Sequence, residues 1–300
     1  MVSVVVPCFN CESSLYRAVE SVLLQSYPNI EIILVDNGST DDTFRIMLSM
    51  QRKYPDKIRI FKELKKGAPS ARNKGLREAA GEWVQFLDAD DELLPYKIQG
   101  QIDFLGSEEN IGIIIGNYVA VDLTSRKKET KKAVKDKWVG LMDSRLGITS
   151  ANLFRKSALL AVEGWNETLK SSQEYELMFR ILQAGFNVLY DDSISTLVYK
   201  QKNSISKSSD NRRFLDILNT RIELRRKAKN YLTQRNLYTR KIHRAYSKYV
   251  FRNLWLNKYK FKEYFEKNIK KEYLSVPLFY RYNRIIRTTL SYILKRNPEK

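Results

Sequence analysis

Short apolar runs alternate with amphipathic stretches through the first 95 residues. Val2–Pro7 is apolar except for Ser3, and Ile30–Val35, Lys57–Phe61 and Trp83–Leu87 repeat the type. Such runs read as parallel strands buried on both faces. Between the first two, Leu15, Val19, Val22, Leu23 and Ser26 fall on one helical stripe, which Ser13 or Ser14 can cap. After the second run, Thr40 or Asp41 can cap a helix reaching about Lys53. Gly67-Ala68-Pro69-Ser70 opens a third helix through Ala80, which Gly81 ends. Four strand–helix alternations with short loops specify an α/β domain with a mainly parallel sheet.

After Pro95, where another helix starts, the pattern is less regular. Ile111–Val121 reads as a strand bent at Gly116, Arg126–Lys137 as a charged hairpin or loop, and Ser150–Phe154 as a short strand. Lys156–Val162 is a helical turn. A helix follows from about Ser171 to Ala184, ended by Gly185. Phe186–Tyr190 and Ile194–Lys200 are the last expected strands.

The fourth strand runs into Asp88-Ala89-Asp90-Asp91-Glu92, four acids within five positions. Ligands of such sheets bind beyond the carboxyl ends of the strands. Asp88 and Asp90 can present two carboxylates to one hard cation, and Mg²⁺ or Mn²⁺ prefers oxygen ligands shared with substrate phosphates. The same acids could instead cap the helix near Pro95. Neither Gly-x-Gly-x-x-Gly nor a phosphate loop ending in Gly-Lys-Ser/Thr is present.

Composition narrows the classes. The 300 residues are 43% apolar and 12% aromatic, with no window of about 18 apolar residues that could cross a bilayer. The start, Val2-Ser3-Val4-Val5-Val6, is too short and uncharged for a secretory signal, so a cytoplasmic location is expected. Cys8 and Cys11 lie far from the single histidine, His243, and read as reduced structural thiols. The net charge of +19 is concentrated: residues 201–300 hold 27 basic and 7 acidic side chains. That shift marks a boundary near residue 205.

Five separated motifs then carry a resemblance: Val6-Pro7-Cys8-Phe9-Asn10, Val35-Asp36-Asn37-Gly38-Ser39-Thr40-Asp41, Ala71-Arg72-Asn73-Lys74-Gly75, Leu87-Asp88-Ala89-Asp90-Asp91 and Gly164-Trp165-Asn166-Glu167. In this order they resemble the family 2 glycosyltransferases, whose nucleotide-diphosphosugar transferase fold is called GT-A. The likeness covers about residues 1–205. It implies that Pro7, Phe9 and Asn10, with Asp36 and Asn37, hold the nucleoside, and that Arg72 faces the phosphates. It also implies that Asp88-Ala89-Asp90 meets ribose and metal, with Asp90 the principal ligand of Mn²⁺ or Mg²⁺. Similar enzymes often carry an acid where this chain has Asn37.

Inversion at a sugar carbon needs a base on the acceptor side, and a carboxylate suits the task. Relatives usually carry Glu-Asp where this chain has Gln173-Glu174, so Glu174 is the expected base and Glu176 the fallback. Many relatives also place a histidine after the last strand; here Tyr199-Lys200-Gln201-Lys202 has none, and Lys202 could meet the diphosphate. The expected activity is an inverting, metal-dependent transfer from a nucleotide sugar, a UDP-sugar above all, to a saccharide or lipid-linked saccharide. The competing reading is a non-enzymatic membrane- or nucleic-acid-binding protein on a decayed transferase fold, favoured by Gln173 and the missing histidine.

The region 206–300 reads as helical and basic. Phe214, Leu218, Ile222, Ala228, Tyr231 and Leu232 suggest one amphipathic helix; Leu278, Tyr282, Ile285, Leu290 and Ile293 suggest another. Ten of the 18 tyrosines follow residue 200. Basic helices with interfacial aromatics suit an anionic membrane surface, which would make the protein peripheral on the inner face of the membrane. Packing on the catalytic domain is the alternative. No nucleic-acid-binding motif is recognised.

Overall fold

A computed structural model describes residues 1–106, 110–200, 210–257 and 259–272. The chain forms two compact units, Met1–Phe214 and a second beginning at Leu215. The first opens with β1 (Val2–Cys8), α1 (Leu15–Leu23), β2 (Ile30–Asp36), α2 (Thr43–Lys53), β3 (Ile58–Lys62), α3 (Ala68–Glu78) and β4 (Trp83–Phe86). It continues with β5 (Glu92–Leu93), α4 (Lys97–Asp103), β6 (Ile111–Asp122), β7 (Lys128–Lys131), α5 (Lys137–Asp143) and β8 (Leu153–Arg155). The unit then adds α6 (Lys156–Ala161), α7 (Gln173–Gln183) and β9 (Asn187–Lys200).

Among the described residues, nine strands form one sheet in the order β3-β2-β1-β4-β8-β6-β9-β5, with β7 paired to β6. The four alternating strands pair in parallel, Val2 lying against both Ile30 and Trp83. The apolar runs of β1, β2 and β4 are buried almost throughout, as expected of a sheet covered on both faces, whereas the edge strand β3 buries only Ile58. The fold is therefore mixed α/β with a mainly parallel sheet flanked by helices.

Several expectations are corrected. The last two strands are one, β9, which takes up the polar interruption Asp191-Asp192-Ser193 as a bulge against β6: Ile115 pairs with Tyr190, but Asn117 pairs with Ile194. The Asn117 amide fills the gap, donating to Asp192 O at 3.0 Å and accepting from Ala133 N at 2.8 Å. Gly116 marks this site because a Cβ there would lie 2.3 Å from Ala151 O. Ser14 holds the N-cap position of α1 without a capping side-chain bond. Asp41 stands one residue before the N-cap of α2 and accepts from Thr43 N at 3.0 Å. β5 and α5 were not foreseen, since two residues of strand and one short helix leave almost no periodic signal.

Helix α3 packs on β1 and β2, and its sequence shows why it lies so close. A Cβ on Gly75 would approach Val5 Cγ1 to 2.2 Å, inside a core where Val5 is fully buried. Below β4 lies a polar chain: Lys97 Nζ donates to Gln85 Oε1, and Gln85 Nε2 donates to Ser150 O at 2.9 Å. Lys97 is 1% exposed, and its burial pushes the ammonium down to about 7 against a weaker opposing pull from Asp191.

The second unit contains most of α8 (Asn211–Gln234), then α9 (Arg240–Leu256) and α10 (Lys262–Glu272). Helix α8 buries Ile217, Leu218, Ile222, Leu224, Ala228 and Leu232, close to the expected stripe. Thr239 caps α9 by accepting from Ile242 N at 3.3 Å. The three helices are tied by Tyr264 OH donating to Asn219 Oδ1 at 3.1 Å, Arg226 Nη2 donating to Asn268 Oδ1 at 2.9 Å, and the Arg225 guanidinium 4.3 Å over the Tyr249 ring. The expected helix around Leu278–Ile293 lies outside the described residues. No helix among those described is long and apolar enough to cross a membrane.

Two predictions follow from this packing. Gly75→Ala forces Val5 aside; overpacking of this kind costs about 1–3 kcal/mol, lowering Tm by roughly 3–10 °C. Val5→Ala in the same chain should recover part of the loss in a thermal melt, and additive losses would sink the explanation. For Lys97, the folded pKa lies below the unfolded value, so between about pH 7 and 10 the unfolded chain binds a proton that the folded chain does not. Stability therefore rises with pH across that window, by up to about 1.4 kcal/mol per unit. Urea titrations from pH 7 to 10 should show Lys97→Met lacking that slope. Parallel curves for the two proteins would mean that Lys97 stays charged in the core.

Candidate active site

The ends of β1, β2 and β4 meet at one edge because the strands are parallel and in register. Cys8 pairs with Asp36, whose neighbour Asn37 donates its backbone N–H to Cys8 O at 2.8 Å. The two loops are laced further by Asn10, which sits at φ 46°. Its Oδ1 accepts from Thr40 N at 2.8 Å, and its N–H donates to Ser39 Oγ at 3.2 Å. Phe9, 56% exposed, stands out from this edge beside the half-buried Pro7, while Asp36 is buried and accepts from Ser39 N at 3.2 Å. Cys8 and Cys11 are free thiols.

Asn37 is spent on a different task from the one its motif suggests. Its Nδ2 donates to Glu63 O and Lys65 O, both at 2.9 Å, and its Oδ1 accepts from Gly67 N at 2.7 Å. Every hydrogen-bonding group of the amide is thus directed at the loop that leads into α3. Gly67 adopts φ 129°, a conformation that favours glycine.

Helix α3 supplies two side chains to the site. Arg72 is 6% exposed; its Nη2 donates to Asp88 Oδ1 at 2.6 Å and its Nη1 to Gln173 Oε1 at 3.3 Å. The guanidinium lies 4.6 Å over the Trp165 ring, and its Nε is buried without a hydrogen-bond partner among the described residues. Asn73 fixes that tryptophan, accepting from Trp165 N and donating to Trp165 O, both at 2.8 Å. Trp165 also packs edge-on against Phe86 of β4, 5.1 Å between ring centres. The Arg-Asn and Gly-Trp motifs, 92 residues apart, are therefore one contact.

The four acids after β4 have separate surroundings. Asp88 meets Arg72, and its N–H donates to Ser150 Oγ at 3.2 Å. Asp91 is buried, accepting from Ser150 Oγ at 2.6 Å and from Tyr199 N at 3.3 Å. Burial and the Asp88 charge hold its carboxyl well above the usual range. Glu92 accepts from Tyr199 OH at 2.8 Å, and Arg17 lies 4.0 Å over the same tyrosine ring while donating to Asp90 O at 2.7 Å. Asp90 is raised by burial and then by Asp88. Ala89 between them is buried.

A divalent cation fits this donor set. Burial and the neighbouring Asp88 charge raise the Asp90 carboxyl, and a bound positive charge would relieve both. No cluster of three or more His, Cys, Asp or Glu ligands forms among the described residues. Asp90 and Asp88 are the residues that would hold such an ion, its other positions falling to phosphate and water oxygens, as Mg²⁺ and Mn²⁺ accept.

Glu174 lies in the first turn of α7, half-buried, and its charge bears on Tyr118 of β6 together with that of Asp91. Burial and these two acids push the Tyr118 phenol up to about 12. Glu176, the fallback base, is removed from contention: Arg180 binds both its oxygens at 2.8 and 2.9 Å, and the same guanidinium holds Val162 O and Gly164 O. Lys202 lies outside the described residues. Sequence reasoning missed Ser150, Tyr118 and Arg17, which carry no motif, and named Tyr199 only as the start of the stretch that lacks a histidine. Only the position of Tyr199 at the end of an expected strand pointed to the site.

The Glycosyl transferase family 2 profile matches residues 3–163. An uncharacterised glycosyltransferase of Rickettsia conorii is 34% identical over 207 residues, covering 65% of this chain and 33% of that protein. The UDP-Glc:alpha-D-GlcNAc-diphosphoundecaprenol beta-1,3-glucosyltransferase WfaP of Escherichia coli is 42% identical over 111 residues, 36% of this chain and 43% of that one. The chain thus spans less than half the length of either relative. Among solved structures, S. aureus TarS 1-349 with UDP-GlcNAc gives a TM-score of 0.60 at 18% identity, covering 86% of this chain and 72% of that one. The Pyrobaculum calidifontis mannosyltransferase PcManGT with GDP-Man and Mn²⁺ gives 0.58 at 15%, covering 100% and 88%. At those identities the likeness is one of fold, GT-A. With the family profile spanning over half of its length, this chain belongs to glycosyl transferase family 2.

Proposed function

We propose that the protein transfers a hexosyl or N-acetylhexosaminyl group from a nucleotide sugar, a UDP-sugar on this reading, to a saccharide or lipid-linked saccharide, with inversion. The observation that carries the proposal is the Asp88–Asp90 turn, held by Arg72 at 2.6 Å, with Glu174 and Asp91 both acting on Tyr118. One side of the cluster thus offers cation and phosphate chemistry and the other an acceptor-side carboxylate. UDP-GlcNAc bound to TarS and the UDP-Glc named for WfaP favour a UDP-sugar, and the WfaP acceptor favours a lipid-linked one.

In this reading residues 1–205 are the catalytic domain and 206–300 a helical basic region. Pro7, Phe9, Asn10 and Asp36 receive the nucleoside, and Asn37 shapes the adjoining loop. Asp90 and Asp88 would hold Mn²⁺ or Mg²⁺, which neutralises charge on the leaving diphosphate. Arg72 adds a fixed positive charge on the same side, and Lys202 is a candidate for another. Glu174 takes the acceptor hydroxyl's proton as that oxygen attacks the sugar carbon from the face opposite the diphosphate. Tyr118 remains protonated at neutral pH, its phenol held up by burial and by Glu174 and Asp91. The location is cytoplasmic, peripheral on the inner face of the membrane.

Asp90→Asn should abolish the Mn²⁺-dependent part of UDP binding in titration calorimetry, because a neutral amide is a poor ligand for a hard dication. Unchanged affinity would remove Asp90 from the donor site. Glu174→Gln should leave UDP–Mn²⁺ affinity nearly intact and slow turnover by roughly 10²- to 10⁴-fold. A variant that turns over at the wild-type rate would assign the base elsewhere.

A further inference from the structure

Helix α9 contains five Lys or Arg and no Asp or Glu in its 17 residues. All five, Arg240, Lys241, Arg244, Lys248 and Arg252, are exposed. At 100° per residue they fall within about a third of the helix circumference, in a row about 18 Å long. The helix is anchored largely from the other side, where Ile242, Tyr246, Val250 and Leu254 are buried. The row is thus a surface feature on an element whose position the fold already fixes.

Exposed apolar side chains lie near its ends in the sequence. Leu256, one turn beyond Arg252, is 57% exposed, Tyr259 is 89% exposed, and Leu237 before the helix is 45% exposed. We propose that this face of α9 docks on a bilayer containing anionic lipid, its cations meeting lipid phosphates while Leu256 and Tyr259 enter the headgroup boundary. Charge complementarity selects an anionic partner, and the exposed leucines select lipid over nucleic acid, since an aliphatic side chain gains nothing at a phosphate backbone. A row of this length lies flat in the interface, as a basic amphipathic helix does.

The test is flotation of the full chain with vesicles of phosphatidylglycerol in phosphatidylcholine, or of phosphatidylcholine alone, at low and high salt. It contains neither nucleotide nor metal, so its outcome is independent of the transferase reading. Binding to the anionic vesicles at low salt, weakened as salt screens the charges, is expected. Arg244→Gln with Lys248→Gln and Arg252→Gln should lower the affinity roughly 100-fold, each cation near such a surface being worth about a factor of five. Arg244→Gln alone should lower it about 5-fold, which guards against misfolding of the triple variant; circular dichroism checks both. Failure of the wild-type chain to float with anionic vesicles at low salt overturns the proposal. So does a folded triple variant that binds as tightly as wild type, or an RNA oligomer that binds at low salt while the vesicles do not.

Discussion

Four carboxylates within five residues at the end of one buried strand repel one another, and the first unit is built around containing that repulsion. Asp88 is balanced by Arg72 at 2.6 Å, and Glu92 is held by Tyr199 with Arg17 nearby. Asp91 is buried against a hydroxyl and a backbone N–H, and its raised pKa reflects low-dielectric surroundings together with its neighbours' charge. Among the described residues the Asp90 carboxylate forms no ion pair; Arg17, which donates to its backbone oxygen, offsets burial and the Asp88 charge only in part. That carboxylate is consequently the one best placed to receive a charge from outside the chain.

The groups that balance these acids come from distant parts of the sequence. Arg17 is on α1, Arg72 on α3, Ser150 precedes β8 and Tyr199 ends β9. Helix α3 organises more than one of these contacts. Gly75 lets it lie against β1, Asn73 grips the Trp165 backbone, and Arg72 then stacks on the indole while reaching Asp88. A shift of α3 would disturb both the acid turn and the entry to α7, where Gln173 also meets Arg72. Replacing the acid usual at this position by Gln173 leaves an acceptor for the guanidinium while removing one negative charge from the cluster.

The second unit follows a different electrostatic logic. Among the described residues the cations of α9 form an exposed row, while the buried Arg225 and the half-buried Lys229 of α8 stack on Tyr249 and Tyr246. Aromatic rings therefore accommodate part of the positive charge inside the unit, and long aliphatic stems cover apolar surface as they do so. The strongly basic composition of this region is compatible with a packed core because the α9 cations stay exposed while the buried Arg225 lies over an aromatic ring.

The sequence by itself determined the alternating α/β pattern, the strand ends on which the motifs stand, and the identity of the acid turn. Those are local properties: apolar runs, turn residues and closely spaced carboxylates survive without knowledge of any partner. Its limits appear where a residue's role depends on what lies across the fold. Asn37 belongs to a motif that suggested a nucleoside contact, yet its amide is consumed by the loop at Glu63–Gly67. Glu176 has the same local chemistry as Glu174, and only the Arg180 clamp separates them. Tyr118 and Ser150 carry no motif, because a lone tyrosine or serine acquires its chemistry from the charges brought to it. β9 could be read as one strand only with its bulged pairing to β6 in view. Tertiary structure decided these points because hydrogen-bond partners and electrostatic fields depend on distance in space, which separation along the chain does not specify.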